Sequence, residues 1–416
     1  MNDTESIKNM ENKLIKPKED WLPLSLLLLL VMVFLHNGLF PLGGPQLLSS
    51  PSTDIRSYFY PILSFGFDVL SEGKIPLWNP YIYGGTPFIA TLQAAIFYPL
   101  NCLYLILPIS KAINWTIFLH LFLSGVFTYY LLKNYGRSRF GATVASIVYI
   151  FSAPHIMHIF AGHMVLLATI VWTPLMFLFL DRFIRGNGYK YGLFLSLTIA
   201  LQLLAGYPQH LLYSLIALSL YLLFSLIWLY RKGVGWSKIR LKTLAFAAFI
   251  ILALLLSAVQ ILPAAEMTKY STRANLTYEW ISMFSFPPEN LVAFLIPDFF
   301  GDMLKVPYWG KNYLWEMTGY VGILPLLLVF ISIFCVRKRT VWFFGILAIA
   351  SLILALGKYT PLLKLLYTYI PGFNLFRGNS KWIFLNSFSI AVISGFGADA
   401  VVRGFKGLKN RRFTKG

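Results

Sequence analysis

The chain has 416 residues, 57% of them hydrophobic and only 12% charged, with a formal net charge of +19. A soluble domain carries about 25% charged residues, so a water-soluble globular fold is excluded. The excess positive charge suits an anionic membrane leaflet and calls for no nucleic acid.

Residues 1–20 are polar and hold five acids. They read as a cytoplasmic tail. The run "WLPLSLLLLLVMVFLHNGLF", residues 21–40, follows. At 1.5 Å per residue, about 20 residues cross a hydrocarbon core of about 30 Å. The long acidic start and the poor cleavage site "HNGLFPLGG" argue against a secretory signal, so this run is read as an uncleaved first span. Further spans are expected at 112–132, 139–155, 164–183, 190–206, 210–230, 242–262, 320–336, 341–357 and 381–402. In lipid every backbone polar group needs an internal partner, so these runs must be helices. The fold class is therefore an all-α polytopic membrane protein with about ten transmembrane helices. Its transmembrane domain covers 21–402, and a basic cytoplasmic tail covers 403–416.

The short loops "KNYGRSR", "DRFIRGNGYK", "RKGVGWSKIRLK" and "RKR" then fall on one side with both termini. The positive-inside rule makes that side cytoplasmic, which places a multi-pass protein in the cell (plasma or inner) membrane with its N-terminus and C-terminus in the cytoplasm. Apart from the N-terminal tail, Asp181 and Asp399, every acid falls on the other side. Polar chemistry is expected on that outer face. Cys102 and Cys335 fall near opposite faces, so no disulfide is expected.

Two outer loops are long, about 41–111 and 263–319, and loops of that length are usually functional when they are not disordered. In the first, Ile55, Tyr58, Phe59, Ile62, Phe65, Val69 and Leu70 recur at helical spacing. They predict amphipathic juxtamembrane helices interrupted near Pro61. "SEGKIPLWNPYIYGGTPF", residues 71–88, is a turn-rich return. Residues 92–108, "LQAAIFYPLNCLYLILP", are apolar enough to enter the membrane. A crossing there would invert every later basic loop, so the segment is read as interfacial or re-entrant, broken at Pro99.

Asp54 has two readings. Ser52, Thr53 or Asp54 could cap a helix starting near Ile55. Alternatively Asp54 is a catalytic carboxylate that accepts a proton from an attacking hydroxyl or holds a divalent cation. Arg56 pairs with it or binds a phosphate. His155, His158 and His163 suggest metal ligands by their spacing, but Pro154 and Gly162 interrupt the helix and no HExxH pattern exists. Hydrogen bonding to substrate or an ordinary polar loop is the favoured reading, with His163 the best substrate-contact candidate and no metal ligand assigned. Tyr207, Gln209 and His210 in "GYPQH" either form a turn or line a polar cavity. Arg377 and Lys381 either neutralise a leaving phosphate or anchor the interface. A second acid is not identifiable; Glu266, Asp298 and Asp302 are guesses. There is no Walker loop, GxGxxG or GxSxG motif.

"STDIRSYFYPILSFGFDVLSEGKIPLWNPYIYGGTPFIATLQAAIFYP", followed in order by "GYPQH", "PPENLVAFLIPDFFG", "YVGILPLLL" and "FRGNSKWIFL", resembles the YfhO-type bacterial membrane proteins over about residues 38–400. That family in turn resembles the GT-C superfamily of membrane glycosyltransferases. The resemblance implies a GT-C-like fold and transfer on the extracytoplasmic face. Its partners would be a polyprenyl-phosphate-linked sugar, an envelope polymer or glycan acceptor, and the lipid bilayer. It also implies an essential carboxylate in the first outer loop, which maps onto Asp54. Trp78, Asn79 and Gln93 join the substrate-contact candidates from the same block. Members are commonly longer, with further spans. The rival reading is a flippase, transporter or non-catalytic assembly factor for lipid-linked glycans.

Overall fold

The computed structural model describes residues 17–413 except 43, 45, 51–52 and 272–275. Most of the expected N-terminal tail (1–16), the capping candidate Ser52 and residues 414–416 lie outside the described residues.

Among the described residues, seven helices are long and apolar enough to cross a membrane: Ile109–Asn134, Arg139–Phe160, Met164–Ile184, Pro208–Arg231, Trp236–Leu256, Arg339–Tyr359 and Asn379–Gly404. The ten expected spans are therefore corrected to seven by this measure, and the reasons are local. The first apolar run is the 18-residue helix Pro17–Phe34, which carries Glu19 and Asp20 in its first turn. The expected span at 190–206 is the shorter helix Lys190–Leu204, stopped before Gly206, which adopts a φ of +99°. The expected span at 320–336 is Ile323–Cys335, held between Gly322 at φ +95° and the extended Val336. At 1.5 Å per residue, helices of about 13–15 residues fall short of about 30 Å. Lys190–Leu204 still runs between the same two ends as its neighbours. Tyr191 Oη accepts from Arg182 at one end (3.1 Å), and Gly206 packs on Leu92 at the other.

The helices Met164–Ile184 and Asn379–Gly404 form the centre, with 89% and 83% of their most apolar stretches buried, against 22% for the peripheral Trp236–Leu256. The last helix meets Arg139–Phe160 at a close crossing. A Cβ on Gly395 would lie 2.7 Å from the Gly141 carbonyl oxygen, the small-residue contact that lets membrane helices approach. The helix that starts at Ile383 continues to Phe413, so most of the expected tail 403–416 extends the last span.

One end of the bundle is basic and closed by ion pairs. Asp181 accepts from Asn134 Nδ2 and Tyr221 Oη, both at 2.6 Å, and pairs with Arg185. Asp399 takes the Ser138 amide and hydroxyl and pairs with Arg137. Asp20 accepts from Tyr129 Oη at 2.7 Å and from Arg139. The cysteines are free and exposed. Cys335 precedes the basic "RKR" turn, and Cys102 lies at the opposite end.

At that opposite end the chain is irregular. Residues 55–71 form one continuous helix: a π-helical turn, Ile55–Phe59, runs into the α-helix Tyr60–Ser71. Pro61 therefore marks a change of winding and not the expected interruption: it falls just after the π-helical turn, where the winding changes to α. Ile55, Phe59, Ile62, Leu63 and Phe67 are buried along its inner face. The return loop departs from the all-α expectation with a small antiparallel ribbon pairing Trp78 with Pro87 and Asn79 with Thr86. Residues 92–106 are short helical turns, with Pro99 opening a 3-10 turn at Pro99–Cys102.

Candidate functional site

Several chain segments converge at the irregular end, and four of them carry the fastenings described first. The first carries Asp54. Its side chain makes no capping hydrogen bond to the helix that follows, so the capping role does not apply to it. His163 Nε2 instead donates to Asp54 Oδ2 at 3.1 Å, and the carboxylate is 59% exposed. The His163 hydrogen bond lowers the Asp54 pKa, against a smaller opposing effect of burial. The contact depends on Gly162, whose φ is +75°. A Cβ there would come within 3.0 Å of Thr53 Oγ1 and of the Ile55 backbone nitrogen, so a larger residue would push the Asp54 segment away. The Ser50 amide, bonded to the Phe160 carbonyl at 2.9 Å, fastens the same two segments.

The "GYPQH" turn is the third segment. Gly206 brings it against the backbone of Leu92 and Gln93; a Cβ there would lie 2.5 Å from the Leu92 oxygen. Gln209 Nε2 then donates to the Arg377 carbonyl and to Tyr213 Oη, both at 2.8 Å. A turn residue thus pins the fourth segment, "FRGNSKW". Ser380 Oγ and Lys381 Nζ from that segment donate to Glu316, at 3.2 and 2.6 Å. Burial alone would raise the Glu316 carboxyl, but the Lys381 ammonium and the neighbouring histidines hold it at about 2. Arg377 lies over the Trp280 and Phe284 rings, 4.8 and 5.3 Å from their centroids.

These residues surround a cavity of about 710 Å³. Asp54, His163, Arg377 and the Glu316–Lys381 pair all line its wall. Tyr58, Phe59, Trp280, Phe284, Tyr313 and Trp315 supply aromatic faces, with Tyr313 and Trp315 stacked in near-parallel planes. A concave site that combines aromatic faces with placed polar groups suits a small molecule.

Of the residues singled out in the sequence, Asp54, Gln93, His163, Tyr207, Gln209, Arg377 and Lys381 line this cavity. Arg56 is exposed and is not among the lining residues. Trp78 and Asn79 lie in the ribbon, where Asn79 Oδ1 accepts the Tyr81 amide and so shapes the turn. His210 is buried behind the wall, its Nδ1 2.9 Å from Thr169 Oγ1. The acid beside Lys381 is Glu316; Glu266, Asp298 and Asp302 are not in the lining. Asp302 instead caps its own loop by accepting three backbone amides, Leu304, Lys305 and Val306. Sequence reasoning also passed over Trp280, Phe284, Tyr313 and Trp315. The one available signal was "YLWEMTGY", a lone acid among aromatics.

The histidine cluster divides. His155 has Ser152 Oγ 3.1 Å from its Nδ1 and packs against the Tyr149 ring; among the described residues its Nε2 is buried without a partner, and it is not grouped with a carboxylate. His158 and His163 instead join Glu316, with one potential ligand atom from each lying within 4.8 Å of the others.

Residues 92–411 match the family described as bacterial membrane protein YfhO. No curated protein matches the chain. The matched region holds every cavity residue from Leu92 onward, and the Asp54 segment precedes it.

Proposed function

The chain belongs to the YfhO family of bacterial membrane proteins, and we propose that it is a glycosyltransferase of GT-C type. It would move a sugar from a polyprenyl-phosphate donor to a cell-envelope glycan or polymer on the extracytoplasmic face. The observation that carries this reading is the exposed Asp54 carboxylate, the Arg377 guanidinium and the Glu316–Lys381 pair set around one cavity with aromatic faces. Transfer from a lipid phosphate needs an acceptor for the attacking hydroxyl's proton and positive charge for the departing phosphate. Asp54 suits the first role. His163 holds its Oδ2, which leaves Oδ1 for the hydroxyl. Arg377 and Lys381 suit the second. The helix at 55–71 and the turns at 92–106 would flank the lipid chain, and the aromatic faces would stack on sugar rings. The basic loops lie at the other end of the bundle, which supports an extracytoplasmic cavity.

Glycan analysis of envelope polymers from cells with and without the chain tests the reaction. One sugar modification is expected to vanish on deletion and to stay absent with Asp54→Asn at normal protein level, a loss of about 100-fold or more. Movement of a labelled lipid-linked sugar across vesicles without any transfer would support the flippase instead. Sidedness is tested with the two native cysteines. A membrane-impermeant maleimide added outside intact spheroplasts should label Cys102 in a Cys335→Ser variant and leave Cys335 unlabelled in a Cys102→Ser variant. The reverse pattern overturns the extracytoplasmic assignment.

A further inference from the structure

We propose that His158, His163 and Glu316 form a binding site for one divalent transition-metal ion, of which Zn²⁺ is the best match, with His163 and Glu316 on the cavity wall and His158 buried behind it. The site rests on side-chain geometry and stands whether or not the cavity transfers sugar.

Both imidazoles are already oriented for ligation. In His158, Nδ1 is bonded to the Pro154 carbonyl. A carbonyl only accepts, so Nδ1 carries the proton and Nε2 presents a lone pair. That Nε2 is buried and has no hydrogen-bond partner. In His163, Nε2 meets the Asp54 carboxylate, which fixes the proton there and leaves the lone pair on Nδ1. That nitrogen is likewise buried and unpartnered. Buried imidazole nitrogens without a partner need an explanation; His155 Nε2 and His210 Nε2 also lack one, but among the described residues only His158 and His163 are grouped with a carboxylate close enough to share an ion.

The third ligand is Glu316. It already accepts from Lys381 on Oε1 and from Ser380 on Oε2. A carboxylate has about four lone-pair positions, so these bonds leave room for a cation. The three ligand atoms lie within 4.8 Å of one another. A tetrahedral ion with bonds of about 2.0–2.1 Å wants its ligands about 3.4 Å apart, a closure that side-chain rotation can supply. Two imidazoles and one carboxylate are a ligand set that suits zinc, and three protein ligands leave a fourth position open. That position would face the cavity.

The surroundings fit the same reading. A ligating histidine usually gives its other N–H to a carboxylate or a carbonyl, which holds the ring and raises its basicity. His163 gives its N–H to Asp54, and His158 gives its N–H to Pro154. Asp54 is then a positioning residue for the metal. Lys381 opposes binding by its charge, but the two carboxylates, Asp54 and Glu316, outnumber it. One divalent ion reverses that balance and would favour an anionic group, such as a phosphate, in the open position.

The test uses the full chain in detergent without a polyhistidine tag, stripped with chelator and titrated with Zn²⁺ or Co²⁺ alone. One ion per chain is expected, and bound Co²⁺ should show the strong visible absorption of a tetrahedral site. His163→Ala and Glu316→Gln should weaken uptake at least tenfold. Asp54→Asn should weaken it about 10–100-fold, and the exposed His36→Ala should leave it unchanged. His163 is partly exposed, so its alanine variant is expected to keep the gel-filtration profile and helical content of the parent. Glu316→Asp should restore part of the uptake. No stoichiometric uptake by the parent chain, or full uptake by folded His163→Ala, overturns the proposal. No substrate is present, so this outcome is independent of whether the protein transfers sugar.

Discussion

The two ends of the bundle both bury charge, and they use it differently. At the basic end both oxygens of Asp181 are engaged, by Asn134, Tyr221 and Arg185. Asp399 is likewise enclosed by Ser138 and Arg137. None of these residues lines the cavity. They tie helices that are not adjacent in the chain together at that end of the bundle. At the other end Glu316 and Lys381 form a comparably buried pair, but the pair opens on a cavity, and Asp54 stands on the rim more exposed than buried. A sealed network holds its geometry through internal bonds alone. A pair on a cavity wall keeps a face for something else.

The largest expected effect comes from breaking the sealed end. Asp181→Ala leaves Arg185 and the Arg182–Asn134 pair around a vacant buried position. Removing one partner of a buried ion pair costs about 3–5 kcal/mol. Thermal unfolding in detergent should show a marked fall in the midpoint, or the folded protein should be lost. Asp54→Asn should leave the midpoint nearly unchanged while the sugar modification disappears. If the two variants behave alike, the distinction between the ends fails.

A second experiment separates the ends by pH. The Glu316 carboxyl is held at about 2 in the folded protein, against an ordinary value of 4.5. A depressed carboxylate stabilises the fold fully above its unfolded value. That contribution is lost as pH falls from about 4.5 toward 2. The full contribution is on the order of 3 kcal/mol. The parent chain should therefore lose stability over that window relative to Glu316→Gln, whose own deficit at neutral pH should shrink as acid is added. A constant difference between the two across the window would mean that Lys381 does not govern this carboxyl.

The architecture was legible in the sequence where one residue's hydropathy carries the message. Apolar runs marked the spans, basic loops marked one end, and Pro99 marked the break in residues 92–108. Helix length was less legible, because a backbone turn decides it. Gly322 and Val336 trim one expected span and the turn at Gly206 trims another, and nothing in the hydropathy profile marks those limits. The candidate site was legible in its separate pieces and not in their pairing. Glu316 and Lys381 are 65 residues apart in the chain, and His163 and Asp54 are 109 apart. Which histidines point the same way depends on the Gly162 turn, so spacing grouped His155 with His158 and His163, whereas the fold joins the latter two to Glu316.

The smallest expected effect falls closest in sequence to the largest functional one. Arg56 is two residues past Asp54, and a phosphate-binding role was natural for an arginine beside a reactive carboxylate. In helical geometry, however, residues i and i+2 point to nearly opposite sides. The chain winds helically from Ile55 onward, with Ile55 and Phe59 buried and Arg56 exposed. The guanidinium is thus directed away from the cavity that Asp54 lines, and Arg377 and Lys381 hold the positive charge there instead. Arg56→Ala should keep the envelope modification within about twofold of the parent, since surface substitutions of this kind change stability by roughly 0.5 kcal/mol or less. Arg377→Ala, at similar protein level, should reduce it far more. Equal losses from the two arginines would place the phosphate on the outer face of the helix at 55–71, and the cavity would then no longer be the reaction chamber.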